Sequence, residues 1–75
     1  MDMRSLVGGN VARLRRERGL TQEVVAERSG LTQQYISDLE RGLRNPTVIT
    51  LFELAQVFAV QPADLITPYR EAVPR

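Results

Sequence analysis

The stretch Leu20–Leu43, LTQEVVAERSGLTQQYISDLERGL, decides the fold. Thr21 and Thr32 each stand just before a run with helical periodicity, where a hydroxyl can take the free backbone N–H groups of a first turn. Gly30 and Gly42 each close such a run, where the chain turns left-handed to leave a helix. The spacing predicts two helices, about Gln22–Ser29 and Gln33–Arg41, each roughly eight or nine residues long and joined by a short turn that holds Gly30. Val25 and Ala26 in the first helix, and Ile36 and Leu39 in the second, fall on the inward side, with Leu43 just beyond.

The same punctuation extends outward. Towards the N-terminus, Val7, Val11 and Leu14 follow the i, i+4, i+7 rule over a helix of about Leu6–Arg18, closed by Gly19. Gly8 and Gly9 inside it each cost about 1 kcal/mol relative to alanine, so a weak first turn is expected. Towards the C-terminus, Asn45-Pro46 breaks the chain and Thr47 caps a helix of about Val48–Phe58, with apolar Val48, Leu51, Leu54, Ala55 and Phe58. Pro62 suits the first position of a short fifth helix, Pro62–Ile66. Pro68 and Pro74 predict a frayed tail. No segment alternates with period two, so the fold class is all-α: one domain over residues 1–67 and a short tail over 68–75.

Composition narrows the function. The 75 residues contain no cysteine and no histidine, which removes thiolate and imidazole metal ligands and the commonest general base. No glycine-rich phosphate loop is present, since Gly8-Gly9 has the wrong spacing and flanks. Glu23 and Glu27 lie one turn apart, but with Arg28 beside them they read as a solvated, ion-paired face. The expectation is therefore a protein that is not an enzyme and takes no cofactor, metal or small-molecule ligand. The apolar runs fall far short of the roughly 20 residues of a membrane span, and no secretory signal is visible, so a cytoplasmic location is expected. All ten basic residues are arginine. That bias suits phosphates and guanine edges, and it equally suits a GC-rich genome. Net charge is +1, with five arginines against Asp2 and Glu17 in residues 1–20, so the positive field is expected in the first helix.

Two helices of this length, joined by a tight glycine turn, have the geometry of a helix-turn-helix, whose second helix enters the DNA major groove. Here the chain resembles the Cro/repressor-type (Xre-like) helix-turn-helix family. The resemblance is carried by T-Q-E-x-x-A after Gly19-Leu20, by Gly30, by T-Q-Q-Y-I-S-x-L-E-R-G, by N-P-T and by QPADLI, and it covers about residues 5–66. It implies a five-helix bundle of the lambda-repressor-like type and a DNA-binding transcriptional regulator. It also resembles the small controller proteins of restriction–modification systems, which implies control through the protein's own concentration and promoter. Two other readings compete: the antitoxin of a toxin–antitoxin pair, and a protein-binding adaptor that reuses the fold.

Residue roles follow from both sources. Gln33, Gln34, Ser37, Asp38 and Arg41 face away from Ile36 and Leu39, at helical spacing. Glutamine pairs with adenine, serine with several bases, and arginine with guanine or phosphate. Gln33, Gln34, Ser37 and Asp38 are the expected base contacts. Asp38 either accepts from cytosine N4 or pairs with Arg41. The resemblance nominates Gln22, Arg44 and Asn45 for phosphate, and Tyr35 and Arg41 join them, Tyr35 with packing of its ring as the alternative. Arg15 and Glu40 intrude on apolar stripes and need partners; the resemblance implies that they form an interhelical salt bridge. Phe52, Val57, Val60, Leu65 and Ile66 exceed what the first three helices can cover, so they are the expected interface of a homodimer.

Overall fold

Threonine hydroxyls start three of the five helices. A computed structural model describes residues 2–69, in the order α1 Met3–Glu17, α2 Gln22–Ser29, α3 Gln33–Glu40, α4 Val48–Phe58 and α5 Pro62–Leu65. Thr21 Oγ1 accepts from the Val24 N–H, Thr32 Oγ1 from Tyr35 and Thr47 Oγ1 from Thr50, each at 3.1 Å. Each bond satisfies one of the donors that a helix start leaves free. Gly30 ends α2 at φ 77°, a left-handed conformation that a side chain would strain, and this reverses the chain into α3. Arg41 caps α3 instead of extending it, and Ile66 caps α5.

The first helix begins three residues earlier than its glycines suggest. Asp2 caps it, accepting from the Arg4 N–H at 3.1 Å, and Gly8 and Gly9 lie in its middle. Gly8 is where α1 crosses α3. A Cβ there would collide with the Leu39 carbonyl oxygen and lie 3.1 Å from that of Glu40. The missing side chain brings the backbones together, and tertiary packing outweighs the local helix penalty. Gly9 faces open space.

The core joins all five helices. Val7, Val11 and Leu14 of α1 meet Val25 and Ala26, Ile36 and Leu39, Leu54, Ala55 and Phe58, and Leu65. Leu65 is completely buried, so it completes the protomer's core and is no part of an interface. Val57 and Val60 are half-buried and pack on the same cluster. Val48, at the start of α4, is 80% exposed and lies outside the inward stripe.

Two polar ties set the helices' relative placement. Arg15 Nε and Nη2 reach Glu40 Oε2 and Oε1 at 2.6 and 3.0 Å, and Nη1 donates to the Leu20 carbonyl at 3.0 Å. The Gln22 amide adds a bond to Glu40 Oε1 at 3.1 Å. At the far end, the buried Asn10 Nδ2 donates to the carbonyls of Leu65 and Thr67, both at 2.9 Å. The start of the expected frayed tail is therefore tied down, and the Tyr69 ring lies 3.9 Å below the Arg13 guanidinium. The rest of that tail, with Pro74, falls outside the described residues.

The two glycines give opposite expectations. Gly9→Ala should stabilise the fold by about 1 kcal/mol through helix propensity, whereas Gly8→Ala should destabilise it by about 1–3 kcal/mol through overpacking. Chemical denaturation of both variants checks this, and equal effects would reject the crossing. For the bridge, the side chains are only 14% and 6% exposed. Removing one partner should therefore cost more than the roughly 0–1 kcal/mol of a surface pair. A double-mutant cycle over Arg15→Met and Glu40→Gln should show a coupling energy of at least about 1 kcal/mol.

Candidate nucleic-acid interface

The α2–turn–α3 unit presents its polar residues on one side. Gln22, at the start of α2, and Gln33, Gln34 and Ser37, on the first turns of α3, line a single open cleft. Gln33 and Gln34 are exposed, while Ser37 is half-buried on the same face. Ile36 and Leu39 are fully buried, which holds α3 rigidly and fixes the direction of its outer face. The helix ends also contribute. Thr21 takes only the Val24 N–H, so the earlier donors of α2, that of Gln22 included, remain without an intrahelical partner. Such a start favours an anion through its dipole and free N–H groups.

Gln22 serves the fold as well. Its side-chain amide is half-buried and bonded to Glu40, so α2 and α3 are tied where both border the cleft. The Glu40 carboxylate holds the Arg15 guanidinium even more firmly protonated than usual, chiefly through their hydrogen bonds. Arg15 lies on the wall of an adjoining cleft that shares Gln22 and Gln33 with the first.

The loop after α3 carries exposed Arg44 and Asn45. Arg44 lies with its guanidinium carbon 5.3 Å from the centroid of the Tyr35 ring. Tyr35 is half-buried and packs that ring against the core, so it braces the loop from below. Arg41, at the end of α3, is exposed and pairs with Asp38 at 2.6 Å.

Asp38 is the most heavily engaged group on this face. Its Oδ1 accepts from Gln34 Nε2 at 2.9 Å and from Arg41 at 2.6 Å, and its Oδ2 accepts from Arg44 at 3.4 Å. The bond from Arg41, then that from Gln34, holds its carboxyl below the usual carboxylate range. One of its two expected roles, the pairing with Arg41, is present. The link to Arg44 is six positions away across the loop, and helical spacing gives no signal of it.

Two features elsewhere were not evident from the sequence. The first is that arginines of α1 and its C-cap have partners within the fold. Arg13 pairs with Glu17 at 3.0 Å, Arg15 with Glu40, and Arg18 Nε donates to the Phe58 carbonyl at 2.7 Å, closing the end of α4. The second is the share of Val48 and Ile49 in the apolar surface, where Phe52 and Ile66 were expected. Val48, Ile49 and Phe52 are 80%, 69% and 51% exposed on one side of α4, and Ile66 is 45% exposed beside Leu51 and Pro46. The available signal was that Val48-Ile49 and Leu51-Phe52 make α4 apolar around most of its circumference, more than one buried face needs.

Known proteins share this arrangement. The helix-turn-helix family model matches residues 11–65. The chain is 68% identical over 71 residues to the HTH-type transcriptional regulator y4dJ of Sinorhizobium fredii, covering 95% of this chain and 92% of that protein. Its fold is similar to the restriction–modification controller protein C.AhdI of Aeromonas hydrophila, with a TM-score of 0.80 and 34% identity over 83% of this chain and 94% of that one. It is also similar to SinR of Bacillus subtilis, the master regulator for biofilm formation, in a crystal structure with DNA: the TM-score is 0.78 with 29% identity, over 81% of this chain and 98% of that one. Capped helices, a left-handed glycine turn and a rigidly seated third helix with a polar outer face agree with these matches: the chain belongs to the Xre-like helix-turn-helix family of transcriptional regulators.

Proposed function

We propose that the protein is a sequence-specific DNA-binding transcriptional regulator in which Gln33, Gln34 and Ser37 of α3 read base edges in the major groove. The observation that carries this reading is the cleft that joins these three side chains to the start of α2. Glutamine offers both a donor and an acceptor to adenine, and a hydroxyl suits several bases. Gln22, through its backbone N–H, and Arg44 and Asn45, from the loop, hold phosphates on either side. Tyr35 supports Arg44, and Arg41 lies at the end of the same face. This reading assigns the protein no reaction and no cofactor, and places it with the DNA in the cytoplasm. The chemistry of the face, with its amides, hydroxyl and guanidinium groups, is that of groove recognition.

The protein acts as a homodimer on a pseudo-palindromic operator. Val48, Ile49, Phe52 and Ile66 form the self-association surface, with Val57 and Val60 at its edge. Exposed apolar side chains along α4 and at Ile66 beside Leu51 support this, because apolar patches mark interfaces. An isologous pairing would present the two α3 helices to successive major grooves, about 34 Å apart. Action on its own promoter is the finer reading, supported by the likeness to a restriction–modification controller protein.

Selection of bound duplexes from a random pool should return a two-fold related motif. On that motif Gln33→Ala or Gln34→Ala should each cost about 1–3 kcal/mol, with little change on random duplex. Unchanged specific-to-random ratios in both variants would refute the assignment. Sedimentation at micromolar concentration should give a dimer for the wild type and a monomer for Ile66→Glu. A monomeric wild type that binds one half-site as tightly as the full motif would refute the dimer.

A further inference from the structure

Asp38 is an acid in the wrong place by two criteria. It stands on the face turned towards a polyanion. It also stands near the C-terminal end of α3, Gln33–Glu40, where the helix dipole disfavours negative charge. Its carboxylate is nonetheless surrounded by three donors: the Gln34 amide, Arg41 and Arg44. Its side chain is only 16% exposed.

We propose that Asp38 is a specificity-determining residue that acts through its neighbours: it orients the Gln34 amide for base readout and occupies Arg41 in the place of a DNA phosphate, while yielding Arg44 to one. This inference rests on the reading of α3 as the recognition helix.

The first half follows from donor and acceptor chemistry. An ionised carboxylate only accepts hydrogen bonds, so Gln34 must turn Nε2, not Oε1, towards it. The bond is charge-assisted and spans one helical turn, from position 34 to 38. It therefore fixes which end of the amide is which. Oε1 and the second N–H remain free, one acceptor and one donor at a known orientation, the pair that adenine requires. A base contact of this kind is favoured on the matching sequence alone.

The second half is electrostatic. Arg44 reaches Asp38 at 3.4 Å, the longest of the three links, so it is the group that a phosphate displaces most easily. When it leaves, Asp38 loses a counter-charge while facing DNA. Arg41, at 2.6 Å, stays as its partner. One positive charge per protomer is thereby withheld from the phosphates. Binding to random sequence consists almost wholly of phosphate neutralisation, and binding to the matching site adds base contacts. Asp38 thus lowers affinity for all DNA and returns part of it on the matching site through Gln34. It takes the place of a base contact by Asp38 itself.

The test compares wild type, Asp38→Asn, Gln34→Ala and the double variant on the selected duplex and on random duplex, over a range of salt. Asp38→Asn should bind random duplex about threefold or more tightly, with a salt slope steeper by about one per protomer. The specific-to-random ratio should fall, and the lost discrimination should map to the base pair where Gln34→Ala loses it. The double variant should lose no more discrimination there than Gln34→Ala alone, because both changes act on one contact. Asp38→Ala, which removes both charge and acceptor and suits a helix, should act in the same direction, with circular dichroism confirming the fold. A ratio and slope unchanged in Asp38→Asn, while the wild type discriminates, would make Asp38 a mere surface ion pair. Discrimination lost at a different base pair, with random binding unchanged, would make it a direct base reader. Either result overturns the proposal and leaves the recognition helix intact. A wild type that shows no preference among duplexes removes that helix's role and the proposal with it.

Discussion

The Arg15–Glu40 bridge is the constraint on which the placement of α3 depends. It joins the last turns of α1 to the end of α3, and the same two side chains also bond the Leu20 carbonyl and the Gln22 amide at the entrance to α2. Three helices therefore meet at one set of charges. A fork of guanidinium donors facing a carboxylate has a defined plane and distance, which apolar packing alone does not impose. The core below, from Val11 to Leu39, supplies the attraction, and the bridge specifies the angle. Because the pair is almost covered, neither charge can be left alone without a large cost. The outer face of α3 inherits this precision.

Close backbone approach complements the bridge. At Gly8, α1 presses on the carbonyls of Leu39 and Glu40, the same residues whose side chains enter the core and the bridge. α3 is thus held at its end by a side-chain salt bridge and by a backbone contact within two positions of each other. That leaves its first turns, with Gln33 and Gln34, projecting from a firmly anchored C-terminal half. Recognition by side chains on a rigid helix needs this kind of support, since a shift of about 1 Å would misplace a bidentate contact.

The sequence was most legible where the chemistry is local. Thr21, Thr32 and Thr47 cap helices for a reason contained within four residues, and Gly30 turns the chain for a reason contained within one. Arg15 and Glu40 stood out because charges on apolar stripes require each other. Legibility failed where distant segments decide. That α1 runs unbroken through Gly8 depends on Gly8 meeting α3, which a propensity scale does not see. Leu65 and Ile66 are neighbours on a one-turn helix, where periodicity cannot say which one faces the core; α1 and α4 bury Leu65. The arginines of α1 and its cap have the composition of a DNA-facing patch, but Arg13, Arg15 and Arg18 have internal partners. The cleft residues were legible through their spacing, whereas the Arg44–Asp38 link was not, because it crosses a loop.

The two bonds from Asn10 also bear on the order in which the chain assembles. They join positions 55 and 57 residues apart, the greatest separation among the side-chain ties. Closing a loop of that length costs about 3.5 kcal/mol of chain entropy by the logarithmic law, beyond a constant. The helix pair α2–α3 closes over a far shorter span, at a cost about 1 kcal/mol lower by the same law, so loop closure favours its contacts over those of α5 with α1. Ile66 lies beside that last contact. The exposed apolar surface near Ile66 is thus completed by the tie that costs the most chain entropy to close.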